Sequence, residues 1–277
     1  MFSKESIKRY FRQILAFIEK NLYLQLRIRT EFFNRFLNPI FNFFVFLIIF
    51  GTIFNIKKGY SLGYWNSSNY ILFLLIAYFI QFSKPLIPRY QNLFTQEKYW
   101  KTLSAIMVAP VNRFILLFGV LISELIVIMI PVSILLIIAY ILYPISLINL
   151  FLILLILFAI YLIFGSIGLI IGVFAISNEE YITYMNLFLK ATFLFSCTNY
   201  PKEIFPEIVQ YIILLNPIYY IFDLLRLIWY LGISYDAAIK LITPLHIIMI
   251  LLMTILAPVI SLYLFNRIYK KYGITGY

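Results

Sequence analysis

Long apolar runs alternate with short polar segments along the whole chain. A helix needs about 20 predominantly apolar residues to cross a bilayer. The pattern predicts six such spans, near residues 35–54, 69–82, 114–140, 147–176, 181–195 and 243–265. The second run is short, whereas the third and fourth exceed the required length. We therefore expect an all-α integral membrane protein with six transmembrane helices.

The N-terminal segment is charged and predicts an amphipathic helix over about residues 4–30. One face carries apolar residues at helical spacing: Ile7, Phe11, Ile14, Ile18 and Leu22. A basic amphipathic helix is typical of a segment that lies in the membrane surface. The segment lacks the apolar core of a cleavable signal peptide. We divide the chain into a cytoplasmic interface helix, 1–34, and a transmembrane domain, 35–277.

The stretch 84–113 is polar and basic although apolar spans precede and follow it. Prolines at 85, 88 and 110 mark its ends, and the apolar residues between them recur at helical spacing. A segment of this polarity lies along the membrane surface or against a partner protein. It transmits force from a cytosolic partner or only connects two spans, and the pattern leaves both interpretations open.

The stretch 199–240 is apolar but interrupted by Pro201, Pro206 and Pro217. Short or broken apolar pieces are typical of re-entrant or interfacial helices on the external side. Asp223 and Arg226 are three residues apart, so they are neighbours on a helix. They either brace this external element or form an isolated surface pair.

Composition supports a membrane protein and a defined orientation. The chain is 64% hydrophobic and 12% charged, with a mean hydropathy of +0.96, whereas a soluble domain is about a quarter charged. Sixteen lysines and arginines fall on the side of both termini and five on the other. The positive-inside rule therefore predicts a multi-pass protein of the cell membrane with both termini cytoplasmic. The net charge of +11 then reflects basic loops that face the cytoplasm and its anionic lipids, and it need not indicate nucleic-acid binding.

The chain offers little material for a catalytic or metal site. It has one cysteine, Cys197, and one histidine, His246, so an internal disulfide and a metal site built from cysteines are excluded. The single histidine also argues against a histidine-built metal site or proton relay. The eleven acidic residues are mostly scattered. We predict no catalytic residue and no metal ligand.

Two charged residues well inside the predicted spans, and a group of three glycines in the fourth span, are candidates for specific roles. Glu124 and Lys190 each stand about ten residues into a span, roughly 15 Å from the cytoplasmic face. Charges at that depth are costly unless paired or hydrated, so the two residues are expected to pair or to line a translocation path. Alternatively, span three begins later and Glu124 lies near the headgroups. Gly165, Gly168 and Gly172 allow close helix packing, inside one subunit or at a dimer seam.

Two groups of motifs resemble the ABC-2 class of ABC exporter permeases. Glu97 is followed by Lys101-Thr102-Leu103-Ser104 and by Ala109-Pro110-Val111, close to the pattern of that family between spans two and three. After span five stand Tyr200-Pro201, Phe205-Pro206, Asn216-Pro217 and Arg226, again in the family's order. Lys101 replaces the family's usual glycine and Ser104 its usual second acid. These departures leave open which side chains contact a partner.

The resemblance implies an exporter permease without enzymatic activity of its own. Its partners would be a separate ABC ATPase subunit, which holds ATP and Mg, and a second copy or close homologue of the permease in contact with membrane lipids. No cofactor and no nucleic acid would bind this chain, which has no Gly-x-x-x-x-Gly-Lys-Ser/Thr phosphate loop. The cargo class would be a drug, a lipid or a lipid-linked glycan. The residues expected to couple to the ATPase are Glu97, Lys98, Trp100, Lys101, Leu103 and Pro110.

Two other functions stay open at this point. A carrier driven by an ion gradient usually shows internal repeats and several buried ionisable groups. A membrane-embedded lipid-modifying enzyme needs clustered acids, histidines or a nucleophile at one membrane face. We see no repeat between the halves of the chain and no such cluster.

Overall fold

The chain folds almost entirely into helices. The computed structural model describes residues 4–27, 29–56, 61–99, 101, 113–177 and 180–272. Within these ranges lie α1 (Lys4–Arg27), α2 (Arg29–Ile56), α3 (Tyr70–Ser83), α4 (Leu86–Tyr99), α5 (Arg113–Leu142), α6 (Leu147–Ser177), α7 (Glu180–Leu194), α8 (Glu207–Leu214), α9 (Pro217–Tyr230), α10 (Tyr235–Leu241) and α11 (Pro244–Tyr272). The 3₁₀ turn Lys202–Ile204 precedes α8. The predicted all-α class is confirmed.

Five helical stretches are long and apolar enough to cross a membrane. They are Phe32–Phe54, Tyr70–Leu93, Phe118–Leu142, Leu147–Phe174 and Pro244–Ile268. A sixth candidate is the pair α8 and α9, which meet at an angle of 93°. A bend of this size is that of a broken span or a re-entrant loop, the element predicted for this part of the chain.

The second span is longer than the sequence indicated, because it continues through α4 as far as Leu93. Lys84 was expected to begin a surface segment, yet its ammonium group lies inside the bundle. The Lys84 Nζ is 4.7 Å from the centre of the Phe193 ring and 3.5 Å from Thr198 Oγ1. The polar stretch 84–113 therefore starts within the membrane domain, and only its later part can lie along a surface.

The fifth predicted span is too short to cross the bilayer alone. α7 has 15 residues, which at 1.5 Å per residue gives about 22 Å, against a hydrocarbon core of about 30 Å. It ends in a turn over 195–201, where Cys197 has a positive φ of 54°. The chain then reaches the bent pair α8–α9.

Two helices form the centre of the bundle. Every residue of α3 from Leu72 to Ile80 is buried, as expected for a helix that is apolar on all sides. α6 is strongly apolar along its length and packs against α4, α9 and α11. The remaining membrane helices surround this pair.

The amphipathic helix α1 packs along α5 with a side next to the apolar face that was predicted to lie in the membrane surface. Phe17 lies against Gly119, where an added Cβ would be 2.6 Å from the Phe17 Cβ. The polar residues Asn21 and Gln25 are buried on this side, whereas Phe11 is 61% exposed. The contact side of α1 is therefore shifted toward its polar residues.

Three connections meet at one end of the bundle, which we call the distal end: residues 61–69, 143–146 and 231–243. The Tyr143 hydroxyl donates to the Ser68 carbonyl at 2.9 Å, and Trp229 Nε1 donates to the Tyr143 carbonyl at 3.1 Å. Ile145 packs directly on Gly232. These contacts fix the external loops of the predicted topology to one another.

Candidate functional site

Most of the predicted coupling residues, or their side chains, lie outside the residues that the structure describes. Glu97 and Lys98 belong to the last turn of α4, but their side chains lie outside the described residues. Lys101 is exposed and has a positive φ of 56°. Trp100, Leu103 and Pro110 also lie outside the described residues. α4 itself therefore leads from the bundle into the expected coupling segment.

Glu124 of α5 is the centre of a buried charge cluster, which we call the Glu124 cluster. Its side chain is 1% exposed and touches three other helices. Arg89 Nε of α4 lies 2.9 Å from Oε1, and Arg35 Nη1 of α2 lies 3.4 Å from Oε2. Gln25 Nε2 of α1 donates to Oε1 at 2.7 Å. One carboxylate thus joins the interface helix to three helices of the membrane domain.

The predicted pair between Glu124 and Lys190 does not form. Lys190 is exposed on α7, whereas Glu124 contacts arginines of the first two spans. The sequence did not indicate Arg89 as a partner of Glu124, because Arg89 was assigned to a loop. Arg35 was missed as a partner because it was placed at the start of a span. The alternative, that both Glu124 and Lys190 line a translocation path, stays a prediction.

Separating the members of the Glu124 cluster would cost free energy. A charge buried away from water is tolerated only when it is paired and hydrogen-bonded. The Arg35 side chain is 29% exposed, so water screens that contact more than the one with Arg89. Displacing α1 or α4 would therefore strain the contact with α5.

The glycines of α6 serve packing between helices of the same chain. A Cβ on Gly165 would meet the side chains of Leu121, Leu86 and Tyr90, the nearest at 3.2 Å. A Cβ on Gly168 would meet the backbone of Ile87 at 2.6 Å. Gly172 is buried one turn further along. The close approach joins α6 to α4, the helix that carries Arg89.

Arg226 of α9 is almost completely buried and holds the turn after α7. Its Nη2 donates to the carbonyls of Cys197 at 2.8 Å and Thr198 at 2.7 Å. Its guanidinium group also lies 4.2 Å from the centre of the Phe73 ring in α3. Arg226 therefore ties the broken region between α7 and α8 to the centre of the bundle.

Asp223, one turn before Arg226, has partners of its own. Its Oδ1 accepts from the Tyr64 hydroxyl at 2.9 Å, and its Oδ2 lies 3.4 Å from the Tyr219 hydroxyl and 3.2 Å from His246 Nε2. Asp223 and Arg226 were predicted as neighbours on a helix. They are neighbours, but each side chain reaches a different part of the chain.

The prolines between α7 and α9 define helix starts. Pro201 precedes the 3₁₀ turn, and Pro206 precedes α8. Pro217 is the first residue of α9, where its missing N–H is not needed. Asn216 caps this helix by accepting from the Ile218 N–H at 3.0 Å, and its side chain also donates to the Thr192 carbonyl at 2.8 Å. The bend between α8 and α9 is therefore encoded by Asn-Pro.

A cavity of about 690 Å³ lies beside Asp223 near the distal end. Its wall combines apolar, aromatic and charged residues: Gly63, Tyr64, Lys202, Glu203, Leu214, Tyr219, Tyr220, Asp223, Lys240, Leu241, Thr243, Leu245 and His246. Burial raises the pKa of the Glu203 carboxyl and, with the nearby Asp223, raises the pKa of Tyr64 well above its ordinary value. Among the described residues no group of three or more His, Cys, Asp or Glu side chains is arranged to hold a metal ion.

The comparisons with known proteins agree with this architecture. A family model described as ABC-2 type transporter matches residues 12–230. The match begins within α1 and ends at the last residue of α9, so it includes the Glu124 cluster and the bent pair. A search of curated proteins finds no match. Because the match extends over most of the chain, this protein belongs to the membrane-spanning ABC-2 type transporter family.

Proposed function

We propose that this chain is the permease subunit of an ATP-driven exporter that moves a hydrophobic or amphipathic cargo out across the cytoplasmic membrane. The observation that carries the proposal is the family match, which extends over α1 to α9 as one block. The five membrane-spanning helices and the bent pair support it. The 277 residues contain no phosphate-loop motif, so a separate subunit would hydrolyse ATP.

The proposed orientation places both termini in the cytoplasm and the distal end outside. Four of the sixteen basic residues counted on the side of the termini lie within the observed spans and no longer count as loop charges: Arg35, Lys84, Arg89 and Arg267. The bias is then twelve basic residues against five. It still favours this orientation.

In the proposed mechanism, the ATPase contacts the end of α4 and the basic helix α1. Lys98 stands nine residues after Arg89 on the same helix, a distance of about 13 Å. Movement of the end of α4 would therefore reach Glu124 through Arg89, while movement of α1 would reach it through Gln25. ATP must favour one packing of the spans over the other by several kcal/mol for such a switch to work.

The partners of the proposed exporter are an ABC ATPase subunit and a second copy or close homologue of this permease. α2 and α11 support the second of these, because both expose apolar side chains along most of their length. Lipid or another permease can cover such surfaces. ATP and Mg would bind the ATPase, with no cofactor on this chain.

The test is purification of the tagged permease from its own host in a mild detergent, followed by an ATP hydrolysis assay. We expect a stoichiometric ATPase to copurify. Charge reversal at the end of α4, Glu97→Lys with Lys98→Glu, should release it. The control is Lys240→Glu, an exposed residue near the distal end, which should retain the ATPase.

The opposite result has a clear meaning. A permease that purifies alone and shows no ATP hydrolysis would contradict the proposed function and favour a carrier driven by an ion gradient. Release of the ATPase by Lys240→Glu, but not by the reversal in α4, would place the ATPase contact at the other end of the bundle.

A further inference from the structure

The carboxylate of Asp223 joins three separate parts of the chain at the distal end. Tyr64 belongs to the connection between α2 and α3, Asp223 to α9, and His246 to the first turn of α11. The Asp223 side chain is only 13% exposed. Hydrogen bonds to an ionised acceptor are stronger than those between neutral groups.

The residue that reaches Asp223 from the first connection is held at the tip of a tight turn. Leu62 and Trp65 exchange two backbone hydrogen bonds of 2.8 and 3.1 Å, and both side chains are buried. Between them, Gly63 has a φ of +64°, which a turn of this kind requires at its second residue. Tyr64 is therefore presented on a rigid tip.

Glu203 closes the other side of this tip. A Cβ on Gly63 would lie 2.8 Å from Glu203 Oε1, so the carboxylate packs directly on the glycine. The tip of the turn is thus enclosed between Glu203, in the 3₁₀ turn, and Asp223, in α9. Both contacts come from the region that precedes and includes the bent pair.

His246 is fixed on two sides, and this fixes its tautomer. Its Nδ1 accepts from the backbone N–H of Thr243 at 3.1 Å, which is the geometry of a capping box at the start of α11. Because Nδ1 is an acceptor, the proton is on Nε2, which donates to Asp223 Oδ2 at 3.2 Å. The start of α11 is therefore pinned to α9 through one oxygen of Asp223.

We propose that Asp223 is a positioning residue that holds the distal end of the permease closed, and that Tyr64 and His246 must leave it during each transport cycle. The residues it joins also line the 690 Å³ cavity. Separation of the turn 62–65 and of α11 from α9 would open that cavity toward the centre of the bundle. This inference rests on the proposed exporter function.

The first test uses hydrogen–deuterium exchange of the permease alone in lipid nanodiscs. We expect Asp223→Asn to speed amide exchange at least tenfold in both 61–69 and 243–249. Tyr64→Phe, which removes one hydroxyl group, should speed exchange in 61–69 only. The matched control is Asp236→Asn on α10, an exposed acid outside this contact, and it should change neither region.

The second test repeats the measurement on the permease with its copurified ATPase, trapped with ATP and vanadate. We expect exchange in 61–69 of the wild type to rise toward the Asp223→Asn value. Unchanged exchange in the trapped complex, from a preparation that hydrolyses ATP before vanadate is added, would make Asp223 a static brace and overturn the inference. Unchanged exchange in Asp223→Asn alone would also overturn it. Absence of an ATPase would overturn the proposed exporter and the cycle, while the first test still decides whether Asp223 holds these elements together.

Discussion

Gly168 of α6 lies directly against the backbone of Ile87 in α4. A Cβ on Gly168 would stand 2.6 Å from the Ile87 carbonyl oxygen and 2.9 Å from its Cα. Backbone atoms cannot move aside as the end of a flexible side chain can. This contact therefore sets the distance between the two helices and, through α4, the position of Arg89.

Gly168→Ala should lower the stability of the permease by about 1–3 kcal/mol, the usual cost of overpacking. Gly165→Ala is the matched comparison, because its Cβ would meet only side chains, at 3.2 Å or more, and it should cost less. Thermal unfolding can be followed with a thiol-reactive fluorophore at Cys197. This thiol is fully buried, and burial raises its pKa to about 12. Equal melting temperatures for the two variants would contradict the packing argument.

Glu124→Gln should destabilise the permease strongly. The amide cannot balance the charges of Arg89 and Arg35, and removing one member of a buried ion pair typically costs about 3–5 kcal/mol. The measurement is the same melting assay, with the exposed Lys190→Gln as a control of unchanged stability. A variant Glu124→Gln as stable as the wild type would show that the cluster is not held by charge.

The double variant Glu124→Lys with Lys190→Glu distinguishes the observed cluster from the pair expected from the sequence. A lysine at 124 would face Arg89 and Arg35, so the exchange should be no more stable than Glu124→Lys alone. Recovery of wild-type stability in the melting assay would mean that Lys190 reaches Glu124 after all.

Arg226→Lys should destabilise the permease by about 1–3 kcal/mol, although the charge is retained. The guanidinium group donates to two successive carbonyls and packs on Phe73. A single ammonium group does not reproduce that planar geometry. The readout is the fraction that stays monodisperse on gel filtration after heating. Arg267→Lys, at an exposed position on α11, should behave as the wild type. An equal loss of the monodisperse fraction in both variants would contradict the role given to the Arg226 guanidinium.

Glu203→Gln should raise the stability of the permease at neutral pH and leave it unchanged in acid. Burial raises the pKa of this carboxyl in the folded state, so the charged form is less favourable folded than unfolded. The stability that protonated Glu203 provides is present below the unfolded pKa and lost as pH rises through the folded pKa. Melting temperatures at pH 4 and pH 7 test this, with the exposed Glu207→Gln as control. A gain that is equal at both pH values would contradict it.

The features that could be predicted from the sequence are those determined by residues close together in the chain. The apolar runs gave the helices to within a few residues, apart from the end of the second span. The fifth predicted span, α7, has nearly the predicted bounds but is too short to cross a membrane alone. The prolines after α7 gave the broken region, because a proline lacks an N–H and therefore starts a helix more readily than it continues one. Asn216 with Pro217 is a local helix start of this kind.

The features that could not be predicted depend on residues far apart in the chain. Glu124 lies 99 positions from Gln25 and 89 from Arg35, and nothing in the local pattern marks these as partners. Tyr64 and Asp223 are separated by 159 positions. Lys84 and Arg89 were assigned to a polar surface stretch, because their burial depends on Phe193 and Glu124, which are distant in sequence. Charges inside a membrane domain are placed by their partners, which a hydropathy pattern does not show.

The break between α3 and α4 gives the second span the geometry of a lever. Pro85 and Pro88 remove two backbone donors there, which leaves fewer backbone hydrogen bonds at this point than within a continuous helix. The arm from Leu86 to Tyr99 has 14 residues and is about 21 Å long. Arg89 is within one turn of the break, whereas Glu97 and Lys98 are near the free end. In the proposed coupling, a tilt of the arm about the break would move its tip several times further than Arg89, so a large displacement at the tip would become a small one at Glu124.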